Sequence, residues 1–414
     1  MKHQGIFFIV IVLATMTLAC NSNNQESDGL DAILTIENPS AFGRNDVIVS
    51  LDPDKIAALI GKDQEYAFSV PFQYNDQNQD GKSDQLLLLF NLDANEKKEH
   101  SLKDLKTDKS PGFTKRTQAE ISHKIKGEWK EREYMGGEFS NVQHLKVPAA
   151  HTDHSWYIRY EGPGWESDKV GYRFYLDWRN ATDIFGKKTS EMVLQDVGQD
   201  GFDSYHEPSD WGMDVLKVGS SLGIGSIAMW VDEKAERVAI TDSLESLVLS
   251  NGNIKSAIRT FYYGWMINDQ KINLISDLSI EAGSRLTHHQ ISMDENVENL
   301  CTGIVKLEQS ELITKVQEGA SGWGYLATFG QQSLANDQLG MAVFFRNSDL
   351  IELTEDEHSH VVVLKPKYKK MDYYFTAAWE QEKDGITSKE AFVQYLDLKL
   401  AELNDPVLVS LDSQ

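Results

Sequence analysis

The chain has 414 residues, 41% of them hydrophobic, and a net charge of −24 from 40 basic and 64 acidic side chains. That length allows two or three domains and a large core, and the acidity excludes long-range attraction to nucleic acid or to anionic lipid. An anionic ligand would therefore need a local pocket of positive charge.

Residues 1–20 read as a lipoprotein signal. Met1–His3 makes a short basic start, Phe7–Leu18 is an apolar run too short for a permanent membrane span, and Leu18-Ala19-Cys20 matches a processing site that leaves Cys20 as the lipidated first residue. Residues 21–30 are polar and read as a tether. The expected location is the cell envelope, lipid-anchored, facing the periplasm or exposed on the outer membrane. The one other cysteine, Cys301, has no partner for a disulfide and reads as a small buried hydrophobe.

Alternating segments predict strands at Asp46–Leu51, Gln85–Leu92, Trp156–Glu161, Val170–Arg179, Ile224–Trp230, Arg259–Tyr263, Ile272–Ile280, Met341–Phe345 and Val361–Leu364. Helices are expected only at Asp54–Leu59 and Ser388–Glu402. The fold class is all-β: a small β-domain over residues 31–105, then a large β-sandwich domain over 106–414 that carries the active cleft. The boundary is placed at the charged stretch Glu96–Pro111.

Asp76-x-Asn78-x-Asp80-Gly81-x-x-Asp84 sets oxygen ligands at alternate positions around a glycine, as in calcium loops. Asp76, Asn78, Asp80 and Asp84 are candidate ligands for a structural calcium ion; the competing reading is an Asx-rich turn. The terminal glutamate of an EF-hand is missing.

Residues 151–214 concentrate four of the nine Trp, five Tyr, three of the eleven His, and Arg159, Arg173 and Arg179. Such a mix suits a polar, sugar-stacking cleft. Period two places Val170, Tyr172, Phe174, Leu176 and Trp178 on one face of a strand, and Gly171, Arg173, Tyr175, Asp177 and Arg179 on the other. His151-Thr152-Asp153-His154 suits proton transfer, or a metal if His206 or Asp210 completes the set. The block from His206 through Trp211 to Asp214 reads as a functional loop. There is no Gly-x-Ser-x-Gly nucleophile and no phosphate-cradling loop, so no nucleotide cofactor is expected.

The run His151–Lys188, the block Asp210-Trp211-Gly212-Met213-Asp214, Gly264-Trp265 and Ala282-Gly283-Ser284-Arg285 together resemble a family of secreted or lipid-anchored bacterial proteins. That family has long been labelled a domain of unknown function, and its members are encoded with polysaccharide-degrading enzymes. The resemblance runs from about residue 31 to the C-terminus. It implies a supersandwich of the galactose-mutarotase type. It also implies an activity seen in the family: an oligosaccharide dehydratase of ulvan breakdown, which removes water from a non-reducing-end uronic acid.

Chemistry then suggests roles. A base must take the proton at C5, an acid must protonate the departing 4-hydroxyl, and a cation must stabilise the enolate-like transition state. His154, His206 and Tyr175 are the candidates for acid and base, and Arg173 for neutralising the carboxylate. Arg159, Arg179, Trp211 and Trp265 are the candidates for binding the sugar. The expected partner is an acidic oligosaccharide, with the membrane reached only through the lipid. Two other classes stay open: a carbohydrate-binding lipoprotein without catalysis, and a glycoside hydrolase using Asp210 with Asp214.

The processing site makes a direct prediction. Cys20→Ser should leave the protein unlipidated and in the soluble fraction after cell lysis; a variant still found in membranes would refute the lipid anchor.

Overall fold

The computed structural model describes residues 32–60, 65–200, 204–316 and 321–413. The signal, the tether and Cys20 lie outside the described residues. Strands dominate, and the described residues contain three α-helices, Pro53–Ile60, Leu102–Leu105 and Lys389–Asn404. The all-β expectation is met.

The large unit is built on a nine-stranded antiparallel sheet that runs from His144–Lys146 at one edge to Ser310–Lys315 at the other. One face of this sheet covers two others. The first has six strands, in the order Gly212–Asp214, Thr182–Lys187, Val170–Phe174, Gly164–Ser167, Thr117–Lys130, Glu133–Val142; the second has five, from Lys234–Arg237 to Leu350–Glu355. Their inward side chains form one continuous core, in which Trp165, Tyr172 and Ile184 of the six-stranded sheet and Met229 and Val362 of the five-stranded sheet meet Ile258, Leu278, Tyr373 and Phe375 of the large one. Polar groups at this junction find partners across it. Trp165 Nε1 donates to Thr287 Oγ1 at 2.9 Å, and Tyr172 donates to the Arg285 carbonyl at 2.8 Å while accepting from Ala377 N at 2.9 Å. The outer face of the nine-stranded sheet is sealed at one end by the helix Lys389–Asn404, capped by Ser388, through Phe392, Leu396 and Leu400. Those three recur every four residues, the spacing that keeps side chains on one face of a helix.

The small unit differs from the expected boundary. Its sheet contains Ala32–Glu37 between Lys97–Ser101 and Leu408–Ser413, so the last strand of the chain belongs with the first. The stretch Glu96–Pro111 is a strand, a short helix and a further strand rather than a linker, because Leu102 and Leu105 are buried and dock it. Gln85–Leu92 forms as expected, and several other strands are longer than the sequence suggested: Lys255–Ile267, Gln270–Glu281 and Leu339–Arg346.

Two expected strands fail in ways that matter. Trp156–Glu161 is not a strand but a loop ending in a single 3-10 turn, Arg159–Glu161. Val170–Arg179 stops at Phe174. Trp265 also lies elsewhere than a binding face requires. The register of Lys255–Ile267 against Gln270–Glu281 slips between Tyr262 and Trp265, and this bulge turns Trp265 inward, where it is wholly buried. Gly264 makes the bulge possible: its φ is +64°, and a Cβ there would sit 2.3 Å from Asp242 Oδ2. Gly264-Trp265 is thus a packing motif, and Trp265 cannot stack on a sugar. Trp265→Ala should lower unfolding free energy by about 3–5 kcal/mol, read as a fall in the denaturant midpoint; an unchanged midpoint would contradict its burial.

Candidate active site

The site grows from the face of the six-stranded sheet that looks away from the core. Cross-strand partners share a face, and the register lines up Glu120, Gly164, Arg173 and Asp183 in one row and Gln118, Glu166, Gly171, Phe185 and Asp214 in the next. The alternation read for Val170–Phe174 therefore holds. The polar face, however, is not wet. Residues 188–200 and 204–211 fold across it, and Val193, Leu194, Val197, Tyr205 and Trp211 pack over Tyr160 and Phe185. A buried ion pair pins this cover. Lys187 Nζ lies 2.5 Å from Glu166 Oε2, while Glu166 Oε1 accepts from the main chain of Val193 at 2.8 Å and Leu194 at 2.9 Å.

Beneath the cover, Arg173 is 2% exposed; its two terminal nitrogens are engaged, while its buried Nε has no hydrogen-bond partner among the described residues. Its guanidinium lies 2.8 Å from Asp183 Oδ2, 2.5 Å from Asp214 Oδ2 and 3.7 Å from Glu161 Oε2, and donates to the hydroxyls of Tyr205 at 2.8 Å and Tyr175 at 2.9 Å. Tyr175 in turn donates to Asp183 at 2.5 Å. Arg179 bridges Glu161, at 2.7 Å, and Asp177, and lies 3.9 Å from the ring centre of Tyr175. Burial pushes the Tyr175 and Tyr205 phenols up. Burial, and then the neighbouring Asp183, raise Asp214 well above the ordinary carboxylate value. Two carboxylates share one arginine, and their mutual repulsion favours the protonated form of Asp214.

The network reaches the surface through a strained loop. Within eight residues, His154 (φ 55°), Trp156 (φ 61°), Tyr160 (φ 38°) and Glu161 (φ 69°) all occupy the left-handed region, and none is glycine. Each such residue costs about 1–3 kcal/mol, and such strain clusters at functional sites. Glu161 holds the loop in shape: its Oε1 accepts from His154 N at 2.8 Å while its carboxylate pairs with Arg179. His154, Trp156, Tyr160, Glu161, Gly198 and Phe139 line a small surface recess of about 10 Å³. The His154 side chain is 49% exposed, and its Nδ1 lies 3.3 Å from Asp153 Oδ2. Beside the pocket, Lys124 sits half-buried with its Nζ 5.5 Å from the Phe139 ring centre. It has no carboxylate within 4 Å among the described residues, and burial holds its ammonium below the usual lysine value.

The sequence-derived candidates therefore separate. Arg173, Tyr175 and Arg179 come together, but Arg173 and Tyr175 are sealed: a substrate carboxylate could reach Arg173 only by displacing Asp183 or Asp214. Arg159 is sealed too, held between Glu120 and the Gln195 carbonyl. Trp211 packs edge-on against Phe185 as part of the cover. His206 is 34% exposed and puts Nε2 3.5 Å from Asp214 Oδ2, at the outer end of the Arg173 network. His151 hydrogen-bonds Ser155 at 2.8 Å, and burial depresses its basicity. The three histidines thus serve different neighbours, and no group of three metal-capable side chains forms among the described residues. Asp210 is exposed and Asp214 fully buried, so the two do not flank an open cleft as a hydrolase pair would. In the Asp76–Asp84 loop, Asp76 accepts from the main chain of Asp80 and Gly81, Asn78 from Asp80, Asp80 from Lys82, and Asp84 from Gln77.

Glu161, Asp183, Glu120, Tyr160 and Tyr205 were not singled out from the sequence. Asp183 was within reach, since Asp183-x-Phe185-x-Lys187 continues the polar face on the next strand.

The family described as a domain of unknown function, DUF4861, matches residues 36–409. The chain belongs to that family. It is 22% identical over 443 residues to "Uncharacterized protein P7" of Formosa agariphila, with 99% of this DUF4861 chain and 100% of that protein covered. Two solved structures from Enterococcus faecalis are similar over 92% of the chain, each with a TM-score of 0.41. One is a protein in the glycosyl hydrolase family 38, at 8% identity, and the other an alpha-mannosidase, at 9%. The chain spans about half their length, 47% and 46%.

The shared proton has a thermodynamic signature. Native Asp214 keeps its proton above the ordinary value of 3.8, whereas the unfolded chain releases it there. The native state then binds more protons, so Asp214 should make stability fall as pH rises from about 3.8 through its raised native pKa. Asp214→Asn should remove that component and flatten the pH dependence of the melting temperature relative to wild type. Parallel profiles would show that Asp214 is ionised in the native protein.

Proposed function

We propose that this DUF4861 protein is a hydro-lyase that removes water from a non-reducing-end uronic acid of an acidic oligosaccharide such as one from ulvan, in the cell envelope. The observation that carries the reading is the strained loop His154–Glu161. It presents an exposed histidine, an indole and a buried carboxylate to one small pocket, backed by a rigid ionic network.

The roles differ from those that sequence chemistry suggested. His154, oriented by Asp153, moves the proton at the reacting carbons. Lys124, a desolvated ammonium without a carboxylate of its own, neutralises the uronate and favours the enolate-like transition state. Trp156 borders the sugar. Glu161 fixes the His154 main chain, and Arg173 with Arg179 fixes Glu161, so the arginines act as positioning residues.

The test is mass spectrometry of defined uronate oligosaccharides after incubation, with absorbance of the conjugated unsaturated acid. Loss of one water with new absorbance is the expected result; gain of one water would mean hydrolysis, and binding without change would mean a lectin-like protein. His154→Ala should slow turnover by roughly 10²–10⁴-fold with its melting temperature kept, and Lys124→Ala should raise KM. Wild-type turnover in both variants would place the chemistry elsewhere.

A further inference from the structure

Among the described residues, Arg237 is a half-buried guanidinium with no carboxylate within ion-pairing distance. It ends the edge strand Lys234–Arg237, donates to the Ser221 carbonyl at 3.1 Å, and lies 5.7 Å from the ring centre of Trp178. Of the carboxylates whose charge it feels, Asp177 is closed by Arg179, Asp356 accepts from the main chain of Ala235, His358 and Ser359, and Glu236 is its exposed neighbour on the strand. In a protein of net charge −24 such a cation is out of character. Burial also lowers its affinity for its proton, as expected of a desolvated cation lacking a counter-ion.

Trp178 is the second observation. It is 47% exposed, an unusual exposure for a large aromatic side chain. It is also tied to the pocket. Its Nε1 donates to Asp153 Oδ1 at 3.3 Å, while the other oxygen of that carboxylate lies 3.3 Å from His154 Nδ1. The indole and the imidazole thus stand one carboxylate apart. Arg132, 2.9 Å from Asp153, offsets the charge of that carboxylate, so it does not repel an anion arriving over Trp178.

We propose that Trp178 and Arg237 form a subsite for a second anionic sugar, adjacent to the one that reacts at His154, with the indole against the ring and the guanidinium on its sulfate or carboxylate. The flat apolar face of a pyranose suits an exposed indole, and a planar guanidinium suits a trigonal carboxylate or a sulfate. The inference rests on reading the site as one for saccharides. It adds that the substrate carries charge on two neighbouring residues, which fits an enzyme of acidic oligosaccharides that holds the sugar next to the end it dehydrates.

Binding without turnover tests it, read by calorimetry on the full chain. Three probes serve: a sulfated uronate disaccharide, the same disaccharide desulfated, and a carboxyl-reduced, desulfated neutral form. Arg237→Ala should weaken the sulfated disaccharide by about ten- to a hundredfold and leave the neutral form unchanged, with Arg237→Lys recovering part of the loss. Trp178→Ala should weaken all three. An effect confined to the sulfated probe identifies sulfate as the anion; one that persists on desulfation identifies the carboxylate. Melting curves matching wild type confirm that the variants fold. Equal affinity of wild type and Arg237→Ala for all three probes, or no binding of any probe by wild type, would overturn the subsite. Because binding is read directly, a failure of turnover alone counts against the dehydratase reading and not against this one.

Discussion

A full positive charge at Arg173 has been placed where water cannot reach it. Desolvating a guanidinium costs several kcal/mol unless geometry and hydrogen bonds return it, and here two aspartates, one glutamate and two phenols close around it. Much of the neighbouring structure follows from that requirement. Asp183 must stand on the adjacent strand in register, Asp214 must return from beyond the covering segment, and Tyr205 must come from the cover itself. Loss of Asp183 in particular would take away a carboxylate that lies 2.8 Å from the buried guanidinium. The cover and the sheet are therefore held to each other by electrostatics as well as by the apolar contacts of Phe185, Val193 and Leu194. A surface ion pair of the same composition would hold nothing comparable.

The same constraint organises the pocket. Glu161 can sit at φ 69° because Arg173 and Arg179 grip its side chain from behind and the main chain of His154 grips it from the front. Strain stored in the loop is thus balanced by contacts in the network, and the histidine is delivered to the pocket wall by a backbone that would otherwise relax. Pre-organisation of this sort fixes where a partly exposed side chain stands.

The strand faces were legible in the sequence because alternation is local: Tyr172 and Phe174 inward, Gly171 and Arg173 outward. Burial of the outward face was not legible. It depends on Glu166, Val193 and Leu194 meeting across a cover whose path has no periodicity of its own. The same holds for the loop at Trp156–Glu161, which alternates like a strand but carries left-handed residues that no side-chain pattern announces. Trp265 was misread for a related reason. A one-residue slip at Gly264 reverses its side, and a period-two rule has no means of seeing a slip. Residues whose role depends on partners far along the chain, such as Glu120 and Asp214, share this opacity, whereas Arg179 with Asp177 and Tyr175 was visible because its partners are neighbours.

The pairing of Ala32–Glu37 with Leu408–Ser413 has a consequence for the order of folding. A chain emerges from its N-terminal end first, so Ala32–Glu37 is made long before its second neighbour, Leu408–Ser413. Until then that strand has one exposed edge, and closing it brings together segments separated by almost the whole chain, with the loop-closure entropy that this entails. The nine-stranded sheet has far more local pairings and can form before the end arrives. That edge of the small unit therefore closes late, and Leu408–Ser413 acts as a latch on Ala32–Glu37.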